Sequence, residues 1–347
     1  MRIVRLIPFL WSRRWNITRL VIALSLLVIL AVDTPARLAR LTLAALPEMD
    51  YAGEVATLRE QGRFAEAIVI ADAGLAWTDG AGNGAKRAEI ERQRQMTVDE
   101  QTSWVRRAKD VGWGALTGRG VSIEQLVGAI AADMFVVGDI RDLAIQGGTW
   151  ASGGEPDRLI VALSAVGIVL TVAPEIDWAP ALLKVARKAG AVTDGLTDFI
   201  VRGVKLRRTE ALAGAFGDVT KLATKASPAG AIRILKLADN EKDLAKFAAF
   251  VERNGSKGGA ALLITGREGA ALVRGEAALA GAALRASDDV VLAAARKGSA
   301  GARFLASPAA RVLTRPHWIL GFGKGVWKGN VPEAVKQIAR AMDPYGW

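Results

Sequence analysis

The chain has 347 residues, no cysteine and one histidine, His317. This excludes a disulfide framework, a cysteine nucleophile and a zinc site of the Cys/His kind, and leaves any Ser-His-Asp arrangement to that single histidine. Forty-six Lys and Arg against 35 Asp and Glu, with 51% apolar residues and a mean hydropathy of +0.23, point to a basic, membrane-associated protein.

The first predicted element is a transmembrane anchor at residues 16–32, carried by Leu20, Val21, Ile22, Leu24, Leu26, Leu27, Val28, Ile29 and Leu30 and closed by Asp33. Counted from Trp15 to Val32, the run has about the length that a roughly 30 Å hydrocarbon layer asks of a helix. Trp11, Arg13, Arg14 and Trp15 precede it as an interfacial belt, since an indole is both apolar and a hydrogen-bond donor. Arg2, Arg5, Arg13 and Arg14 before the run outnumber Arg37 and Arg40 just after it. This bias places the N-terminus in the cytoplasm of a bacterial inner membrane and the bulk of the chain in the periplasm. A cleaved signal peptide is the alternative, but no small-x-small site follows Val32.

Residues 34–118 open with Leu58 in a first amphipathic helix, Gly62 at a turn, and Phe64, Ala67, Ile68 and Ala71 on a second. These residues resemble a single tetratricopeptide-type hairpin over 51–77, in which small side chains let two helices approach and glycine takes the turn's backbone angle. The segment departs from that family at Val55, Ala71 and Gly74. One such hairpin cannot bury its own face, so further helices must cap it, or the likeness is that of a generic helix pair. Residues 84–110 follow, dense in alternating charge, and predict an exposed helix or helix pair laced with ion pairs.

Residues 119–183 form the third unit. Ser122 with Gln125 has capping-box spacing ahead of an amphipathic helix, and a Gly/Ser loop at 147–154 leads into the uncharged run 159–173. That run is short for a full span and reads either as a second membrane segment or as a buried core helix. The stretch 133–177, with Val136-Val137-Gly138-Asp139-Ile140-Arg141-Asp142-Leu143 and Asp157-Arg158, resembles the pre-toxin module of bacterial polymorphic toxins. That likeness implies a secretion-linked linker ahead of a toxic domain; the alternative is a tight helix-loop-helix held by Asp-Arg contacts.

Residues 184–347 read as a train of Ala/Leu/Lys helices. Breakers fall at Ser227-Pro228, Asn254-Gly255, Gly258-Gly259, Gly266, Ser287-Asp288-Asp289 and Ser307-Pro308. Asn240 with Asp243, and Ser287, have N-cap spacing, and Asn254-Gly255 reads as a C-terminal stop. The whole is expected to be all-α, with an anchor, hairpins and a solenoid-like stack but no strict period. Charge is uneven along it: residues 33–158 hold 14 basic against 19 acidic residues, and residues 184–347 hold 27 against 14. If 159–173 spans, the basic C-terminal half is cytoplasmic.

Candidate chemistry is sparse. His317 lies among Arg315, Lys324 and Lys328, which would suit a general base beside a phosphate, or an aromatic-basic interfacial segment. The nearby glycines lack a GK[ST] ending. Asp139/Asp142 and Asp194/Asp198 have helical spacing, which suits solvent-facing or capping roles as well as a cation site. The expectation is a non-enzymatic, membrane-anchored helical scaffold with no cofactor, metal or catalytic residue. Its expected partners are proteins and anionic lipid head groups, not nucleic acid, because aromatics are not interleaved with the cations. The alternative is a membrane-inserting or secreted toxin-like effector.

Overall fold

The computed structural model describes Thr18 and residues 36–79, 83–110, 157–169, 178–275, 282–314, 321–322 and 330–342. Among these residues all regular structure is helical, with no strand, and no helix is long and apolar enough to cross a membrane. Apart from Thr18, the predicted anchor at 16–32 lies outside the described residues. So do Trp11, Arg13, Arg14, Trp15, the Asp139/Asp142 pair and His317.

The first helix, α1, is described over residues 36–44, and α2 (Tyr51–Glu60) and α3 (Phe64–Trp77) form the predicted hairpin. Asp50 caps α2 by accepting from the Gly53 amide at 3.1 Å, and Gly62 turns the chain at φ +72°. A Cβ on Gly74 would lie 2.8 Å from the Tyr51 ring, so a glycine stands where the two helices touch. The charge-dense stretch is one long helix, α4 (Gly84–Asp110). It is solvated on one side only: Ile90, Gln93 and Thr97, spaced three and four apart, are buried against α2 and α3.

Helix α5 (Arg158–Val169) opens the second half, and its Leu159 and Leu163 sit fully buried in the main core. Leu159, Ile160, Ala162 and Leu163 of the apolar run 159–173 are thus packed against protein. Asp157 caps it, accepting from the Leu159 and Ile160 amides at 2.9 and 3.2 Å and from Arg187 Nε at 2.7 Å. Burial alone would raise the Asp157 carboxyl. The Arg187 bond, the two amides and the Arg187 charge outweigh it and hold the group below the usual carboxylate range. A depressed carboxylate contributes stability that is present above the unfolded value of about 3.9 and is lost as pH falls through the folded value. Asp157→Asn keeps a capping oxygen but no charge. The variant is therefore expected to be less stable than wild type at pH 7 and to show a shallower loss of Tm between about pH 5 and pH 2, checked by thermal melts across that range.

The remaining helices are α6 (Trp178–Lys188), α7 (Asp194–Lys205), α8 (Thr209–Leu235), α9 (Glu241–Gly275), α10 (Ala282–Ala295), α11 (Gly298–Ala306), α12 (Pro308–Thr314) and α13 (Val331–Met342). Several predicted breakers sit where the backbone breaks. Ser227, at φ +64°, divides α8, and its Oγ accepts from the Gly230 amide at 3.2 Å while Pro228 starts the next segment. Gly255 and Gly266 divide α9, and Ser307 caps α12. Asn240 caps α9 through the Lys242 and Asp243 amides at 2.9 and 3.1 Å, and Asp243 returns the bond by accepting from the Asp239 amide. The expected cap at Ser287 is overturned: it lies inside α10, where the neighbouring Asp288 is buried and bonded to Arg253.

A local pattern without a fixed period recurs at these breaks. Ser227, Gly255 and Gly298, at φ +64°, +60° and +57°, each break the path between two helical segments, as Gly266 also does at φ +57°. The first three each have a basic residue two positions before (Lys225, Arg253, Arg296) and a glycine three after (Gly230, Gly258, Gly301). Buried apolar residues stand eight and four positions before the turn and seven after it. These are Val219, Ala223 and Ile234 in the first copy, Phe247, Val251 and Leu262 in the second, and Val290, Ala294 and Leu305 in the third. Positive φ needs a residue without steric penalty or with a compensating cap. In the second and third copies the glycine at the third place lies against the incoming helix: a Cβ on Gly258 would lie 3.1 Å from the Val251 α-carbon, and one on Gly301 1.9 Å from the Ala294 carbonyl oxygen. Gly190, at φ +65°, turns α6 with Lys188 two before it but has Thr193 as the N-cap of α7 in the glycine's place.

Candidate interaction surface

The hairpin residues singled out in the sequence are brought together, but they face inward. Leu58, Ala67 and Ala71 are buried, Phe64 and Ile68 partly so, and Gly62 forms the turn. Leu58, Ala67 and Ala71, with Val55, Val69, Ile70 and Ala73, share a core with Ala260, Leu263 and Ile264 of α9. The hairpin spends its apolar face on the body of the protein. What it presents outward is polar: Gly53, Glu54, Thr57 and Glu60 on α2, and the Glu89–Arg92 pair on α4. Hydrogen bonds from Arg92 and then Gln93 hold the Glu89 carboxyl down to about 2.

Buried charge is used to join helices. Glu66 on α3, 1% exposed, takes Arg63 Nη2 on one oxygen at 2.6 Å and Arg233 of α8 on the other, fastening hairpin to core. Asp288 on α10 accepts two bonds from Arg253, both 3.0 Å, and one from Asn254 at 2.9 Å. Asp243 lies 3.7 Å from Arg274. Tyr51 donates its hydroxyl to the Arg296 carbonyl at 3.5 Å, and burial pushes its phenol upward. Such charges are costly to bury unless paired, and each sits where two chain segments meet.

The repeated basic position serves two ends. Arg253 reaches Asp288 on the next hairpin, and Arg296 lies 3.6 Å from Glu48. Lys225, in contrast, is exposed and has no carboxylate within ion-pair distance among the described residues. A second set lies at the α7–α8 junction, where Lys205, Arg207 and Arg208 are likewise exposed and unmatched. They surround Leu206, 57% exposed, on a backbone that takes φ +51° at Arg207. The local string Lys205-Leu-Arg-Arg208 was the available signal, but a charge run of that length reads as an ordinary solvated face. Asp194 and Asp198 are both exposed on α7, with Asp198 4.0 Å from Arg202. No group of His, Asp or Glu that would hold a metal occurs among the described residues.

No protein-family model, no curated protein and no solved structure matches the chain.

Proposed function

We propose that this protein is a membrane-anchored, non-enzymatic scaffold of the bacterial envelope, in which residues 16–32 hold a solenoid-like stack of helical hairpins at the bilayer for other proteins to bind. The observation that supports the reading is a repeated local pattern: helix breaks at Ser227, Gly255 and Gly298, each with buried apolar residues at the same three offsets. Stacks of this kind present long surfaces suited to contact. The use of Glu66, Asp243 and Asp288 as joints between segments supports the same reading, since those carboxylates are committed to holding the body together.

Its unmatched cations, Lys205, Arg207, Arg208 and Lys225, suit partners with acidic surfaces. Affinity capture of the full chain from detergent-solubilised membranes is expected to recover the same partners reproducibly, and Arg207→Glu/Arg208→Glu to lower their yield several-fold. Recovery of nothing reproducible ends the scaffold reading. Reporters fused after Pro47 and after Trp347 are both expected to report the periplasm; opposite compartments would place a second crossing between them.

A further inference from the structure

Helix α1 stands in the place of a fourth hairpin. In the first two copies of the turn pattern, the positions eight and four before the turn and seven after it lie in the main core. In the third copy the same positions, Val290, Ala294 and Leu305, meet Ala36, Ala39 and Leu43 of α1 instead. The N-terminal helix thus caps the far end of the stack. Its rotation is fixed: Arg40 pairs with Asp289 at 3.1 Å, Lys297 donates to the Leu46 carbonyl at 2.8 Å, and the Met49 amide donates to the Arg296 carbonyl at 3.0 Å.

A terminal cap on a helical stack ordinarily turns a polar face outward. This one does not. Leu38 and Leu41, three apart, are 47% and 67% exposed on the side away from the body, with Ala45 exposed one turn on. Only Asp33, Thr34 and Pro35 separate the apolar run ending at Val32 from Ala36, so the start of α1 lies at most about 14 Å along the chain from that run.

We propose that α1 is an interfacial helix, its outer face of Leu38 and Leu41 set into the head-group boundary of the bilayer that holds residues 20–32, so that the last hairpin of the stack rests on the membrane. This rests on the anchor proposed above. An amphipathic helix of this kind buries its leucines a few ångströms deep in the head-group boundary. The short tether favours lipid over a second copy or another protein, because the face is delivered to the bilayer by its own chain.

The absence of native cysteine permits a direct test with single nitroxide labels on the full chain, reconstituted in vesicles of phosphatidylethanolamine and phosphatidylglycerol. Labels at Leu38→Cys and Leu41→Cys are expected to be several-fold more accessible to dissolved oxygen than to a water-soluble nickel chelate, and a label at Thr57→Cys on the outer face of α2 the reverse. Leu27→Cys reads the anchor separately. Leu27 in lipid with Leu41 open to nickel overturns the α1 proposal and leaves the anchor standing. Leu41 closed to both reagents means that protein covers the face, which also overturns it. Leu27 open to nickel removes the anchor, and the α1 proposal with it. Both leucines are surface residues, and unchanged melting of the variants will show that the fold is kept.

Discussion

Replacing Glu66 with alanine is expected to cost about 3 kcal/mol of unfolding free energy, measured by urea denaturation. Removing one partner of a buried ion pair leaves the other uncompensated. Here two guanidiniums, Arg63 and Arg233, would converge on an empty site between α3 and α8. The estimate is kept at the low end because both arginines hold about a third of their side-chain surface in water, where the charge is partly screened. Glu66→Gln, which keeps the volume, is expected to lose less. An Arg63→Met/Arg233→Met/Glu66→Leu triple variant, which removes all three charges, should recover most of the loss. A triple variant no more stable than Glu66→Ala would show that the carboxylate's value lies in packing rather than charge.

The second large effect is expected at the crossing glycines. Gly301→Ala should cost about 3 kcal/mol, the upper part of the range for overpacking, because the new methyl would meet backbone. The Ala294 carbonyl oxygen and α-carbon lie 1.9 and 2.9 Å from its position. Gly230→Ala, at the equivalent place one pattern earlier, should change stability by less than about 1 kcal/mol. There the nearest atom is the Leu263 Cδ1 at 3.3 Å, the far end of a flexible side chain. Thermal and urea melts of the two variants side by side give the contrast. Equal losses would mean that the glycines are kept for turn flexibility rather than close approach.

Much of the fold was legible in the sequence wherever local chemistry decides it. Asn240 with Asp243 is a cap because a short side-chain oxygen reaches free amides whatever lies beyond, and Ser227-Pro228 breaks a helix for reasons contained in two residues. Ser287 has the same local chemistry and does not cap: it lies inside α10, next to an Asp288 buried against Arg253. The recurring breaks have no fixed period, since they fall 28 and then 43 residues apart. Their sign was the short string of a basic residue, any residue, Gly or Ser, two residues and Gly. Glu66 was the least visible: on α3 it reads as a surface charge, and its partner Arg233 lies 167 residues away.

The candidate surface was less legible than the fold. The six hairpin residues were found by their spacing, yet spacing alone does not say whether an apolar face meets a partner or the protein's own core. The acquisition of Ala260 from α9 as a neighbour settles this for the hairpin and moves attention to the exposed Leu38, Leu41 and Leu206.

The proposed scaffold needs residues 20–32 to hold the helical body in a bilayer. Washing isolated membranes with alkaline carbonate tests this directly, since it strips peripheral proteins and leaves spanning ones. The full chain is expected to remain in the pellet, and a Leu24→Arg/Leu27→Arg variant to move to the supernatant, because a charge at mid-bilayer costs roughly 2.5–3.5 kcal/mol each. Release of the unaltered chain into the supernatant would contradict the account.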